Sequence, residues 1–406
     1  MTQAWNMAAE APAGMLDELR VVEIGQNLAG PFAGEILADL GADVIKIEKP
    51  GGDDARGWGP PITPRAAAVF HLMNRNKASV VLDLRDEADR AVLDGMLTRA
   101  DIFVHNMRPG AMAALDLGSA VLTARHPRLI YCDMGAFGHL GPMREKPGYE
   151  PLMQAFAGLV SVNGHPDGPP ARMGASIVDL GTGMWTVIGA LAALIRRAAT
   201  GRGCVVNTSL LETALVWAGS HTLAWQASGQ MPLRHGSGHP MIVPYQAFDT
   251  ADGPLVVAPG NDRLFAALAR ALDHAEWLDD PRFAHNDARR RHREEIVGLV
   301  AGCFRDMPMA EARARLDAAG VPNAPVQTIP QVVADPQVQA LQMLQPVPGL
   351  VVPMTGFPVS FDGQRPAIRA AAPDLGADTA RRRAQPWPGD AVPLQDPDRE
   401  EEEPKC

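Results

Sequence analysis

Residues 19 to 47 constrain the fold of this chain more than any other stretch. Leu19–Ile24 (LRVVEI) is a short apolar run that stops at Gly25, the pattern of a buried strand. Residues 31–40 (PFAGEILADL) put Phe32, Ile36, Leu37 and Leu40 on one helical face, with Pro31 in the first turn and Gly41 after the last. Val44–Ile47 (VIKI) reads as a second buried strand. Strand, helix and strand in succession form a βαβ unit, expected to cross over right-handed. Further strands fit Ser79–Leu84, Ile102–His105 and Leu129–Asp133, with a helix over Asp86–Arg99. The expected class is α/β, a mostly parallel, Rossmann-like sheet covered by helices.

The later sequence divides the chain. An apolar helix runs from about 182 through MWTVIGALAALIRR (184–197), followed by a strand at Val205–Asn207 and a helix at Leu210–Ser228. From 229 the character changes. Pro, Gly and His cluster up to Pro244, and Ala251-Asp252-Gly253 sits inside a hairpin pattern at Tyr245–Val257. Helical segments follow at 262–272, 291–304 and 309–319. Residues 1–228 are therefore expected to give the first part of a large domain, 229–330 a smaller α+β domain, and 331–385 a return to the large one. The Pro- and acid-rich stretch 386–406 reads as a disordered tail.

At 406 residues the chain is too long for one small core. Its net charge of −10 disfavours general binding to nucleic acid or an anionic membrane. The four cysteines have no C-x-x-C spacing, so neither a disulfide framework nor a metal site is expected. Met1–Leu16 contains Glu10 and no basic region, unlike a signal peptide. The most apolar window, Met184–Ile195, is too short to cross a bilayer and runs into Arg196-Arg197. A cytoplasmic location is expected.

Chemistry gathers at a few places. The loop Gly25-Gln26-Asn27-Leu28-Ala29-Gly30-Pro31 joins strand to helix, where parallel sheets bind ligands and a helix N-terminus offers free N–H groups. Its glycines lack the G-x-G-x-x-G spacing, which argues against a nicotinamide cofactor. Asp179 precedes the apolar helix and fits an N-cap. There the helix dipole would keep it ionised, and an ionised, partly desolvated carboxylate is also a usable nucleophile; both uses are open to it. His235-Gly236-Ser237-Gly238-His239 is neither a nucleophile elbow nor a helical metal pair. Asn74-Arg75-Asn76-Lys77 and Asn106-Met107-Arg108-Pro109-Gly110 put cations and amides at strand ends, where an anionic nucleotide could lie. The triplets Arg289-Arg290-Arg291 and Arg381-Arg382-Arg383 read as solvated helix faces.

Residues 19–58, 74–84, 106–112 and 174–194 together resemble the family III CoA-transferases, also called the CaiB/BaiF family, and 239–265 resembles that family's small domain. The resemblance covers about 15–375. It implies a large α/β domain built from both chain ends, a small domain between them, and an interlocked homodimer. It implies that Asp179 is the nucleophile and that Asn27, Leu28 and Ala29 lie beside the thioester. Lys49, Asn74, Lys77, Asn106, Met107 and Arg108 fall in stretches that contact CoA. CoA is then a substrate, and no permanently bound cofactor is implied. Many members carry a basic residue where this chain has Ala113-Ala114.

The implied reaction passes CoA from an acyl-CoA to a carboxylate through an aspartyl anhydride and an aspartyl-CoA thioester. His235, His239 and Tyr245 offer polar contacts to the acyl group, and Arg144 and Arg172 are candidates to bind a second carboxylate, so succinyl-CoA and a C4–C6 diacid such as itaconate, mesaconate, malate or glutarate are the expected pair. Two alternatives stand beside it. The α-methylacyl-CoA racemases share the fold but carry Gly-His-Asp where this chain has Gly148-Tyr149-Glu150, and a phenol is a weak base near neutral pH. The other alternative is a non-catalytic acyl-CoA-binding protein.

Overall fold

A computed structural model describes residues 14–389. Most of 1–16, read as unlike a signal peptide, and most of the 386–406 tail lie outside them. Six strands form one parallel sheet: β1 Arg20–Ile24, β2 Asp43–Glu48, β3 Ala78–Val81, β4 Ile102–His105, β5 Ile130–Gly135 and β6 Val205–Ser209. Their order is β3-β2-β1-β4-β5-β6, and the direction of winding reverses between β1 and β4. Val22 pairs with Ile45 on one side and with Phe103 on the other. All three are fully buried, as a sheet covered on both faces requires. The expected mixed α/β architecture is present.

The connections carry their own signals. Helix α1 (Ala29–Asp39) starts two residues before Pro31, with Leu28 as its N-cap. Helix α2 (Glu87–Leu97) is capped by Asp86, whose side chain accepts from the Asp89 N–H at 3.0 Å. Helix α3 spans Ile177–Thr200 and ends at Gly201 in the left-handed conformation. It has 24 residues, and an 18-residue window within it has a mean hydropathy of 1.6, long and apolar enough to cross a membrane, so the length argument drawn from the 184–195 window does not hold. Here α3 packs along α1 and against β5 and β6. Arg197, near the end of α3, is buried and pairs with Asp101 at 2.7 Å.

The chain divides into two compact units. Among the described residues the first holds 14–153, 175–216 and 341–389; the second holds 154–174 and 217–340. The small unit is therefore larger than the 229–330 expected, and it takes in 154–174, whose sequence gave no sign of it. The expected helix 210–228 is two helices, α4 Leu210–Trp217 and α5 Gly219–Ser228. The break falls where Gly219 weakens helical propensity by about 1 kcal/mol. In the second unit β7 Gln246–Thr250 and β8 Gly253–Val257 form the expected hairpin, and Asn323–Pro325 (β9) adds a third antiparallel strand. Phe248, Leu255, Phe265, Phe304 and Leu316 fill its core.

Two expectations about the chain's surface fail. Trp387, assigned to a disordered tail, is fully buried in the sheet core and donates from Nε1 to the Met96 carbonyl at 3.1 Å. Each arginine triplet also contains a buried member. Arg289 donates to the Val243 and Phe283 carbonyls and pairs with Asp262 at 2.6 Å. Arg382 donates to Asp43 at 2.8 Å. Both guanidiniums find carbonyls or carboxylates inside the protein, which makes their burial tolerable.

Candidate active site

The loop after β1 is held by side chains beneath it. Lys46 Nζ donates to the Gly25 carbonyl at 2.7 Å. Asn106 accepts from the Gln26 N–H and donates to the Gln26 carbonyl, both at 2.8 Å. Asp53 accepts from the Asn27 N–H at 3.1 Å. Lys77 Nζ donates to the Pro31 carbonyl at 2.7 Å. With these groups satisfied, the chain can leave the sheet sharply, and Asn27 adopts a left-handed φ of 65°, a conformation in which asparagine is tolerated. The N–H groups of Leu28, Ala29 and Gly30 donate to nothing among the described residues, as expected for the first turn of a helix.

Lys46, Lys77 and their partners form one buried network. Glu23 pairs with Lys46 at 3.1 Å and with Lys77 at 2.7 Å; Lys46 also pairs with Asp53 at 3.0 Å. Burial pulls both lysines downward. In Lys46 the carboxylates of Glu23, Asp53 and Glu48 outweigh it and raise the pKa. In Lys77 burial dominates, and the pKa falls to about 8. Beside them Glu48 accepts from Arg56 and from Ser79 Oγ, each at 2.6 Å. Sequence reading missed Glu23, Lys46 and Asp53. The signal was a charged residue inside each of two apolar strands, VVEI and VIKI.

A cleft of about 370 Å³ opens at the carboxyl ends of β1, β2, β3 and β4, between residues that include Gly25, Gln26, Lys49, Asp53, Arg85 and Met107. This is the switch point of the sheet, where open α/β sheets bind ligands. Of the residues expected to contact CoA, Lys49 and Met107 line it. Lys49 is half-exposed and pairs with Asp54 at 2.8 Å. Arg108 is exposed and makes no ion pair among the described residues.

Asn74 and Lys77 depart from expectation. Both are buried, and Asn74 accepts from Lys77 at 2.9 Å and donates to the Phe70 carbonyl at 3.0 Å. Their side chains support the loop and do not face the cleft. Asn106 likewise has both polar atoms occupied by Gln26.

Asp179 lies in the first turn of α3, three residues after its N-cap Ser176. The sequence placed it at the N-cap, stabilised as a carboxylate by backbone N–H groups. Instead its carboxylate accepts no hydrogen bond from the described residues. Burial, and then the neighbouring charge of Glu150, push its pKa up to about 7. The helix begins early, at Ile177 with Ser176 as an N-cap that makes no side-chain bond, and Val178 in its first turn is fully buried. Four residues beyond Asp179, Gly183 meets the first loop: a Cβ there would lie 2.9 Å from the Ala29 carbonyl and 3.0 Å from Phe32. Residues i and i+4 share a helix face, so Asp179 stands on the face of α3 that packs against the loop.

Other expected contacts scatter. Tyr149 is exposed. Glu150 accepts from the Val178 N–H at 3.4 Å. Arg144 is exposed, in the first unit, and pairs with Glu145 at 3.0 Å. Arg172, in the second unit, donates to the Met173 carbonyl at 3.2 Å. Within the second unit His239 stacks on Tyr245 with ring centroids 5.4 Å apart. Burial and then Arg293, His221 and His239 lower the pKa of His235. Among the described residues no group of three His, Cys, Asp or Glu could hold a metal ion.

Comparison with known proteins adds to this geometry. A model of the family described as CoA-transferase family III matches residues 16–379. The acetyl-CoA:oxalate CoA-transferase of Acetobacter aceti is 36% identical over 92% of this chain and 96% of its own length. The succinate–glutarate CoA-transferase of Agrobacterium fabrum is 35% identical over 90% of this chain and 94% of its own. The crystal structure of a CaiB/BaiF family protein from Brucella suis superposes with a TM-score of 0.82 at 37% identity, covering 93% of this chain and 99% of that one.

Proposed function

Because the chain belongs to CoA-transferase family III, we propose that it moves CoA from an acyl-CoA to a dicarboxylate, with Asp179 as the nucleophile. One observation carries the assignment of Asp179. Its carboxylate is half-buried, accepts no hydrogen bond from the described residues, and shares a helix face with Gly183, which presses on the Ala29 carbonyl of the first loop. A partly desolvated carboxylate, with three N–H groups of the first loop that donate to nothing among the described residues, suits acyl chemistry.

The ionised Asp179 attacks the thioester carbonyl, and CoA leaves as a thiolate. The mixed anhydride so formed is attacked at the aspartyl carbonyl by that thiolate, which releases the donor acid and leaves an aspartyl-CoA thioester. An acceptor carboxylate runs the two steps in reverse. The free N–H groups of Leu28, Ala29 and Gly30 are the donors available for each tetrahedral oxyanion. The cleft beside Lys49 and Met107 takes the nucleotide end of CoA, and burial around Asp179 keeps water from the anhydride.

The acids named for the two similar transferases, oxalate and glutarate, are both dicarboxylic, which supports a diacid as acceptor; the succinate–glutarate relative supports succinyl-CoA as donor and a C4–C6 acceptor, whereas the acetyl-CoA:oxalate relative is named for a monocarboxyl donor and a C2 acid. The same reading places the protein in the cytoplasm as an interlocked homodimer. Exposed Ile188 and Ile195 on α3, within the first unit, support a partner surface there. A carboxylate with a pKa of about 7 could also serve as an acid/base group, the requirement of the racemase alternative.

The test is a panel of acyl-CoA donors and acids assayed with the wild-type protein and with Asp179→Asn, with α-proton exchange followed in D2O. Transfer to a diacid that falls at least ~10³-fold in the variant supports the proposal. Exchange without transfer would favour the racemase, and binding without either would favour a non-catalytic protein.

A further inference from the structure

Two consecutive peptide units at the start of the first loop, Gly25–Gln26 and Gln26–Asn27, have all four polar groups bonded to side chains. Asn106 supplies two of those bonds. The other two come from a single ion pair: Lys46 holds the Gly25 carbonyl, and Asp53 holds the Asn27 N–H. A lysine needed only to balance charge would be satisfied by Glu23 and Asp53. Lys46 instead makes its shortest contact, 2.7 Å, to the Gly25 carbonyl, against 3.1 and 3.0 Å to the two carboxylates. Its side chain is fully buried, so it reaches no substrate.

We propose that Lys46 is a positioning residue for the thioester chemistry. It fixes Gly25 directly, and Asn27 by way of Asp53, and so sets where the N–H groups of Leu28, Ala29 and Gly30 meet the acyl group. The inference rests on the CoA-transfer reading for its catalytic consequence, and on hydrogen bonds alone for its structural part. Lys46 acts on the step in which charge develops on the acyl oxygen, so its loss falls on kcat. The affinity for the acceptor acid, which does not depend on the Gly25 carbonyl, changes little.

The test removes the lysine without leaving a buried charge. In Lys46→Met/Asp53→Asn one cation and one anion leave together. Glu23 keeps its pairing with Lys77, and the new amide oxygen at 53 can still accept from the Asn27 N–H. The expected result is a kcat at least tenfold lower, a KM for the acceptor acid within twofold of wild type, and amide hydrogen exchange at Gln26 and Asn27 at least tenfold faster. A kcat within threefold of wild type overturns the proposal, since Lys46 would then be a counter-ion only. A lower kcat with unchanged exchange at those two amides also overturns it, because the lysine would not be acting through the loop. If that variant does not fold, Lys46→Gln/Asp53→Asn keeps a polar group in the pocket and is read the same way. Should the wild-type protein transfer CoA between no pair of substrates, the transfer reading fails. The exchange rates then decide by themselves whether Lys46 holds the loop.

Discussion

The base of the first loop and the turn that carries Asp179 lie in the same unit, yet they treat charge in opposite ways. Under the loop, Glu23, Lys46, Asp53 and Lys77 are buried, and each is paired. At the head of α3, Asp179 is half-buried and makes no ion pair among the described residues, and the charge that shifts it is the like charge of Glu150. The first arrangement fixes backbone geometry, because breaking any pair leaves a costly buried charge. The second spends stability on reactivity, because a poorly solvated carboxylate is a better nucleophile than a solvated one. Geometry and reactivity are thus supplied by different residues, which meet where Gly183 touches Ala29.

Substitutions sharpen that contrast. Asp179→Asn should lower kcat by at least ~10³-fold, about 4 kcal/mol of transition-state stabilisation. It should also raise the melting temperature at pH 8. The folded pKa of Asp179 lies above its ordinary value, so the folded chain holds the proton more tightly than the unfolded one. Stability from this group is full below about pH 4 and is lost as pH rises to about 7. The variant should be free of that loss, and melting curves at pH 5 and pH 8 check it. The contrast breaks if Asp179→Asn destabilises the protein at both pH values.

Lys46→Met alone should cost about 3–5 kcal/mol in chemical denaturation, since Glu23 and Asp53 lose a shared buried cation. Gly183→Ala should cost about 1–3 kcal/mol, because the new methyl meets a backbone carbonyl at 2.9 Å that cannot swing away. It should lower kcat as well by pushing α3 from the loop. The smallest effect is expected at the cleft rim. Lys49→Ala should change stability by less than about 0.5 kcal/mol, because its pair with Asp54 is exposed. It should nonetheless raise the KM for acyl-CoA, most visibly at low salt.

The parallel sheet was legible because its strands are short, mostly apolar runs bounded by turn residues, and β4 runs Ile102–His105 as read. The hairpin at 246–257 was legible from Asp252-Gly253. The buried charges were not. Lysines and arginines were assigned to water or to ligand, whereas Lys77, Arg289 and Arg382 are held by carbonyls and carboxylates distant in sequence. The start of α3 was missed because Ser176 and Ile177 lie before the long apolar run. The assignment of 154–174 to the second unit depends on packing between distant segments, which no local pattern encodes. Asp179 was named through family resemblance; its residue type and position alone fitted an N-cap equally well.

The most direct test of the account is covalent trapping at Asp179. The protein is incubated with a panel of acyl-CoAs that includes succinyl-CoA, quenched with hydroxylamine, and mapped by peptide mass spectrometry. The account predicts a hydroxamate at Asp179 with at least one donor and none in Asp179→Asn. Transfer activity with no modification of Asp179, or with the label on another residue, would contradict it.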